Sequence, residues 1–172
     1  YTLGYADNTD VGQATITITG KGNYGGVRVV SFNITPRVIT VVPTSSQSKE
    51  YGEPDPEITY TFSGAVTGQT PAFTSSLSRA DGEDVGSYAI RQGGLNLADN
   101  GSFKASNYVI ELTSGVGFSI TKAPLVISAN NDSKFVTQAD VNGYAGVRYS
   151  GFKFGEDETV LNTTNLTISR TN

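Results

Sequence analysis

Lys49-Glu50-Tyr51-Gly52-Glu53-Pro54-Asp55-Pro56 sets an aromatic residue, a glycine and two prolines between two strand-forming runs, residues 38–42 and 58–62. Pro54 and Pro56 fix their own φ angles, offer no amide donor, and push Glu53 and Asp55 toward extended backbone. Gly52 permits a bend directly after Tyr51, whose ring is placed to cap one end of a core. The stretch reads as a stiff corner between strands.

Working outward, the same grammar recurs. Ala14-Thr15-Ile16-Thr17-Ile18-Thr19 alternates apolar and polar side chains, the pattern of a half-buried strand. Further strands are expected at 1–5, 27–35, 73–77, 87–90 and 95–97, with 108–112 and 116–121 forming a hairpin across Thr113-Ser114-Gly115. Turn formers separate them: Asp7-Asn8-Thr9-Asp10-Val11-Gly12, Gly20-Lys21-Gly22-Asn23, and a loop at 98–104. The chain has 172 residues, 37% of them hydrophobic, with 20 Gly, 9 Tyr and 8 Phe. That balance gives an all-β chain with many turns.

Cys, His, Met and Trp are absent. No disulfide can staple the fold, so packing must hold it. The net charge of −4 supplies no phosphate-neutralising stripe, which argues against nucleic acid as a partner. No run of 18 apolar residues exists, so no membrane insertion is expected in this segment. A chain that opens on Tyr1 without a signal-like segment reads as an internal excerpt.

Internal repetition divides the chain. Asp10-Val11-Gly12, Asn23-Tyr24 and Phe32-Asn33-Ile34-Thr35 parallel Asp84-Val85-Gly86, Asn107-Tyr108 and Phe118-Ser119-Ile120-Thr121. The offset grows from 74 (84 − 10) to 86 (118 − 32), the difference being an insertion at 98–104. Downstream, Ala123-Pro124-Leu125-Val126-Ile127 mirrors Pro36-Arg37-Val38-Ile39-Thr40, Ser133-Lys134-Phe135 echoes Ser48-Lys49-Glu50-Tyr51, and Arg148-Tyr149-Ser150-Gly151 matches Thr61-Phe62-Ser63-Gly64. Leu166-Thr167-Ile168-Ser169-Arg170 parallels the Leu77-Ser78-Arg79 region. The expected layout is half, whole, half: residues 1–36 as the C-terminal half of one module, 37–121 as a complete module, 122–172 as the N-terminal half of the next. A repeat of this length suits tandem sandwiches.

The corner, the strand Ile58-Thr59-Tyr60-Thr61-Phe62-Ser63-Gly64, Leu77-Ser78-Arg79, Gly82-Glu83-Asp84-Val85-Gly86-Ser87-Tyr88, Asn107-Tyr108-Val109-Ile110 and Phe118-Ser119-Ile120-Thr121 resemble the MBG (also YDG) repeat. That family comprises immunoglobulin-like β-sandwich modules strung through large bacterial surface adhesins. The resemblance implies tandem antiparallel sandwiches, export across the envelope and an extracellular location at the bacterial surface. Lys49, Tyr51, Gly52, Pro54, Pro56, Arg79, Gly86, Tyr88, Asn107 and Tyr108 carry the match as structural positions.

Chemistry is sparse beside that. Without His or Cys the common nucleophile–base pairs are missing, and Glu53/Asp55/Glu57 and Asp81/Glu83/Asp84 sit in turns with no evident cleft; no catalytic residue is assigned and no enzyme is expected. Asp7/Asn8/Asp10, Asp81/Glu83/Asp84, Asn130/Asn131/Asp132 and Glu156/Asp157/Glu158 have the composition of calcium loops without a dedicated spacing, and Asx side chains satisfy their own turns equally well. No cofactor is assigned, calcium being the one to consider. Tyr5, Tyr24, Tyr51, Tyr88, Tyr108, Tyr144 and Phe152 could stack sugars, but several recur at equivalent positions, as packing residues do. Arg79 and Arg170 would tie strand ends to the acidic loops. Lys49 and Lys134, at matching places, raise the thought of a lysine isopeptide crosslink, for which the sequence shows no buried acid. The expected function is a stalk or spacer that presents a distal tip, its partners being neighbouring modules and, by strand complementation, other copies. The alternative is a carbohydrate- or protein-binding adhesin module that recognises a surface ligand through the 93–104 insertion and neighbouring loops.

Overall fold

A computed structural model of the chain describes residues 1–131, 133–137 and 146–163. It is all-β, a sandwich of antiparallel and mixed sheets. β1 (Thr2–Ala6), β2 (Gly12–Thr19) and β3 (Val27–Ile34) form one antiparallel sheet in that order. The middle of the chain contributes β4 (Arg37–Pro43), β5 (Ser48–Glu50), β6 (Tyr60–Ser63), β7 (Ala72–Thr74), β8 (Ser78–Arg79), β9 (Gly86–Arg91), β10 (Asn96–Ala98), β11 (Tyr108–Leu112) and β12 (Gly117–Thr121). β13 (Val126–Ala129) pairs antiparallel with β14 (Val147–Ser150). Each expected strand is present within a few residues, save that the second run begins at Tyr60, leaving Ile58 buried outside a strand.

The expected hairpin at 108–121 is not formed. β11 lies in a sheet of order β11-β4-β6, whereas β12 lies in one of order β5-β12-β9-β8. Each takes a parallel partner instead: Tyr108 stands opposite Arg37, and Ser119 opposite Ser48. Both pairings have the same offset of 71, so 37–50 and 108–121 run side by side without a register slip. Thr113 N–H donates to the Val41 carbonyl at 2.9 Å, continuing the parallel ladder where a hairpin would turn back. Parallel ladders thus join the beginning and end of 37–121, adding mixed sheets to an otherwise antiparallel plan.

The chain falls into two compact units. The first comprises 1–47, 57–81 and 88–118, and buries Ala14, Ile39, Val41, Ile58, Leu77, Leu95, Phe103, Tyr108 and Phe118. The second comprises 48–56, 82–87 and the described part of 119–172, and buries Lys49 and Ile120. Phe103 is an unexpected member of the core, since 98–104 reads as a loop. The segment is a loop, closed by reciprocal 2.9 Å backbone hydrogen bonds between Asn100 and Phe103, but its one aromatic turns inward and stacks on Tyr108 with centroids 4.5 Å apart.

β1-β2-β3 has the strand order of β8-β9-β12, and the sequence parallels set Leu3 against Leu77 and Phe32 against Phe118. The β13–β14 pair reproduces β4–β6. Gly64 (φ +107°) sits against the Val38 carbonyl and Gly151 (φ +109°) against that of Pro124, positions where a Cβ would collide with backbone. This register places Leu125, not Val126, at the position of Ile39, one residue away from the sequence match. The second corner is not reproduced: Ser133-Lys134-Phe135 is outside any strand and Phe135 is exposed, so the Tyr51–Phe135 correspondence does not extend to packing. The 166–170 block lies outside the described residues.

Candidate functional site

The second unit is organised on the Lys49–Pro56 corner. Tyr51 N–H donates to the Thr121 carbonyl at 2.8 Å, and Glu53 N–H to the Glu50 carbonyl at 3.1 Å. Gly52, third of that four-residue turn, has φ +85°, the value a type II turn demands there. Pro54 and Pro56 lie in the exposed run that follows, outside any strand. The Lys49 ammonium is buried, 2.7 Å from Asp55 Oδ1 and hydrogen-bonded to Glu83 Oε2. The hydrogen bonds to Asp55 and then Glu83 raise its pKa, outweighing the opposing effect of burial. Two acids therefore do stand beside Lys49. Both are half exposed and hold the amine protonated, which is an ion-pair lock and not the neutral amine that amide formation requires.

Residues 153–156 close on this corner. Tyr51 Oη donates to Glu156 Oε1 at 2.6 Å, and its ring meets that of Phe154 edge-on at 5.3 Å. Lys153 Nζ lies 2.7 Å from Glu53 Oε1 and 3.9 Å from Glu50 Oε1. Its stem passes directly over Gly52: a Cβ there would come within 2.5–2.6 Å of Lys153 Cγ, Cβ and Cδ. Glycine is needed at position 52 twice, for the turn and for this approach. The clasp is itself preshaped by positive φ at Phe154 and Gly155, and by Asp157, which caps the short 3-10 turn Glu158–Val160 through Thr159.

The hydrogen bond to Glu156 pushes the Tyr51 hydroxyl up to about 12. Phenolate beside carboxylate is repulsive and loses the donated proton, so this contact stabilises the fold below the ordinary tyrosine range and fades as pH rises through about 12. Titration of tyrosinate absorbance is expected to show a transition near pH 12 that is missing in Tyr51→Phe and returns toward the ordinary range in Glu156→Gln. A Tyr51 that titrates with the bulk would show that the clasp does not form.

A smaller cluster lies in the first unit. Asn107 Oδ1 accepts from Val11 N–H at 2.8 Å while Asn107 Nδ2 donates to Asp10 Oδ1 at 2.8 Å, and Lys104 Nζ donates to Asp10 Oδ2 at 3.1 Å. One amide thus reads both the backbone and the side chain of the Asp10-Val11 turn. The Asn107 hydrogen bond, then that of Lys104, holds the Asp10 carboxyl below its usual range. Asn107→Ala is expected to cost about 1 kcal/mol, the worth of such hydrogen bonds at a partly exposed site, read as a lower urea midpoint. Asn107→Asp, which cannot donate to a carboxylate, should cost at least as much above pH 5.

The remaining motif residues pack. Arg79 holds its guanidinium 5.0 Å from the Tyr88 ring and 5.8 Å from that of Phe118, and donates to the Ala80 carbonyl. Tyr108 Oη donates to Gln69 and accepts from Val66 N–H. Gly86 opens β9. Of the aromatics considered for sugar stacking, Tyr108 is buried, Tyr51, Tyr88 and Phe152 are half-buried, Tyr5 and Tyr24 are exposed, and Tyr144 lies outside the described residues, as do Arg170 and Asp132.

The acidic clusters are drawn into the same contacts: Asp10 to Asn107 and Lys104, Glu83 to Lys49, Glu156 to Tyr51, Asp157 to Thr159. Among the described residues no group of three or more acidic side chains converges on one point. What the sequence could not show is that Lys153, Phe154 and Glu156 belong to the corner. Their partners lie about a hundred positions away, and no local pattern marks them.

In comparison with known proteins, the sequence model of the MBG domain (YGX type) matches residues 39–119. The matched stretch contains Tyr51-Gly52-Glu53, the turn on which the clasp closes. No curated protein and no solved structure matches the chain.

Proposed function

Residues 39–119 being an MBG domain of the YGX type, we propose that the chain is a run of stalk modules from a bacterial surface adhesin, its task to extend and space a distal binding tip. The observation that carries this reading is the clasp, in which residues 153–156 grip the turn of the matched domain by two hydrogen-bonded side-chain pairs and an aromatic edge. Under the half, whole, half layout that grip joins one module to the next. The connections are correspondingly short: two residues separate β3 from β4, and four separate β12 from β13. A connector of that length has little slack with which to flex. Location at the bacterial surface is part of the same proposal, as is the neighbouring module as partner.

The binding alternative would use 93–104. There, Phe103 is buried, Asn100 Nδ2 donates to the Thr70 carbonyl, and Asp99 accepts from Ala105 N–H, so the insertion is occupied in holding itself together. Mechanical pulling on the chain flanked by known marker domains tests the spacer reading. It predicts one dominant unfolding event releasing about 290 Å of contour, some 86 residues at about 3.4 Å each, and no signal for the same protein on a glycan array. Saturable glycan binding lost on disturbing 93–104 would favour the alternative.

A further inference from the structure

We propose that Asn100-Gly101 is a self-modifying site, at which the Asn100 side chain loses ammonia to become aspartate and isoaspartate, loosening the 93–104 insertion as the protein ages. The inference stands apart from the stalk reading and needs no partner but water. Asn100 and Asn142 are the two asparagines that precede a glycine, and Asn142 lies outside the described residues. Asn100, Gly101 and Ser102 are all exposed at a two-residue turn, closed by the reciprocal hydrogen bonds of Asn100 and Phe103. That closure leaves the Gly101 N–H without a hydrogen-bond partner among the described residues. Gly101 has φ +56° and open space where a Cβ would stand, so no side chain shields its nitrogen. A backbone nitrogen that is solvated, unbonded and unshielded gives up its proton to hydroxide and can attack the neighbouring side-chain amide.

The chemistry balances without an outside reagent. The Gly101 nitrogen bonds to Asn100 Cγ, the Cγ–Nδ2 bond breaks, and ammonia departs with a proton taken from water. Water then opens the cyclic imide, at one carbonyl to give aspartate and at the other to give isoaspartate, whose main chain runs through the former side chain. Reaching this geometry opens the turn, which costs little in an exposed loop closed by two surface hydrogen bonds. Asn96 is the internal contrast: its Oδ1 accepts from Leu97 N–H at 2.9 Å, and Leu97 carries a side chain and is paired with Phe73. Both products weaken the turn. Asn100 Nδ2 donates to the Thr70 carbonyl at 3.1 Å, whereas a carboxylate there has no proton to give and sets a negative charge against that oxygen. Isoaspartate also lengthens the backbone, so positions 100 and 103 fall out of register. Phe103 is fully buried on Tyr108, and the turn is what closes the loop around it.

The test incubates the full chain beside a synthetic peptide of residues 92–104, the tryptic fragment that holds both Asn96 and Asn100, at neutral and mildly alkaline pH. Tryptic mapping is expected to show Asn100 of the folded chain converting within about tenfold of the peptide's rate, as a cheaply opened loop allows. Conversion should be faster at the higher pH, Asn96 should stay unchanged, and an isoaspartyl methyltransferase should label the isoaspartate product. Gly101→Ala should slow conversion by about tenfold, because its methyl group flanks the attacking nitrogen. That variant is strained by its φ, so Asn100→Gln, whose longer side chain closes a ring far more slowly, gives an independent check. Aged wild type should unfold at a lower urea midpoint than fresh wild type, while aged Asn100→Gln keeps its fresh midpoint. Conversion slower than that tenfold limit would mean that the turn protects the bond, and would overturn the proposal. So would a fully converted protein that unfolds at the midpoint of the fresh one.

Discussion

Phe118→Ala is expected to destabilise the chain by about 3–5 kcal/mol, the cost of emptying a fully buried aromatic site, whereas Phe32→Ala in the dilute monomer should cost less than about 1 kcal/mol. Both residues open matching Phe-x-Ile-Thr stretches, on strands β3 and β12 of sheets with the same strand order. Phe118 is wholly buried and lies under the Arg79 guanidinium; Phe32 is exposed. Removing the first leaves a cavity that neighbouring β-sheets can only partly close, and the second leaves nothing to collapse. Urea denaturation of the two variants at low protein concentration decides the matter. Equal losses would mean that residues 1–36 are covered in solution even as a monomer, and the correspondence of halves would have to be redrawn.

Lys49→Met is the other large effect. The substitution keeps the stem but removes the ammonium that both Asp55 and Glu83 accept from. A loss of about 1.5–3 kcal/mol is expected, the range for hydrogen bonds to charged groups. It falls short of the penalty for a wholly buried ion pair because both acids are half exposed and can be rehydrated. The pH dependence has a definite sign. Lys49 is raised above its unfolded value of 10.5, so its contribution is complete below that value and is lost as pH climbs through the folded pKa. Tyr51 acts in the same direction, from its unfolded 10.0 to about 12. Wild type should therefore lose stability above pH 10 more steeply than Lys49→Met, and the two curves should converge at the alkaline end. Parallel curves would show that the Lys49 ammonium is not stabilised by Asp55 and Glu83 in the folded chain.

Much of this architecture was legible in the residues. Alternation in 14–19 and turn formers at 20–26 located β2 and β3, and the Tyr51-Gly52 bend is where the chain turns. Those signals are local, set by side-chain periodicity and by φ. What failed was non-local. Nothing in 108–121 distinguishes a hairpin from two strands that each run parallel to a segment 71 positions upstream, because Thr113-Ser114-Gly115 serves either path. Phe103 looked like a loop residue because its neighbours are polar, and its burial depends on Tyr108 lying beneath it. The site divides the same way. Tyr51, Gly52, Asn107 and Tyr108 stood out as repeated positions, while Lys153, Phe154 and Glu156 gained meaning only when folding brought them to the corner. Lys134 shows the opposite error, an equivalent lysine in sequence whose segment lies outside any strand.

The stiffness of the clasped corner is the claim on which the stalk reading turns, and a distance distribution tests it most directly. Spin labels at Ser87→Cys and Val160→Cys, both exposed and both in the second unit, report on the separation between the acidic segment 82–87 and the clasp-bearing segment. Pulsed electron paramagnetic resonance is predicted to give a single narrow distribution in the wild type that broadens when Tyr51→Phe and Lys153→Ala are combined. A distribution already broad in the wild type, and unchanged by the double substitution, would contradict it.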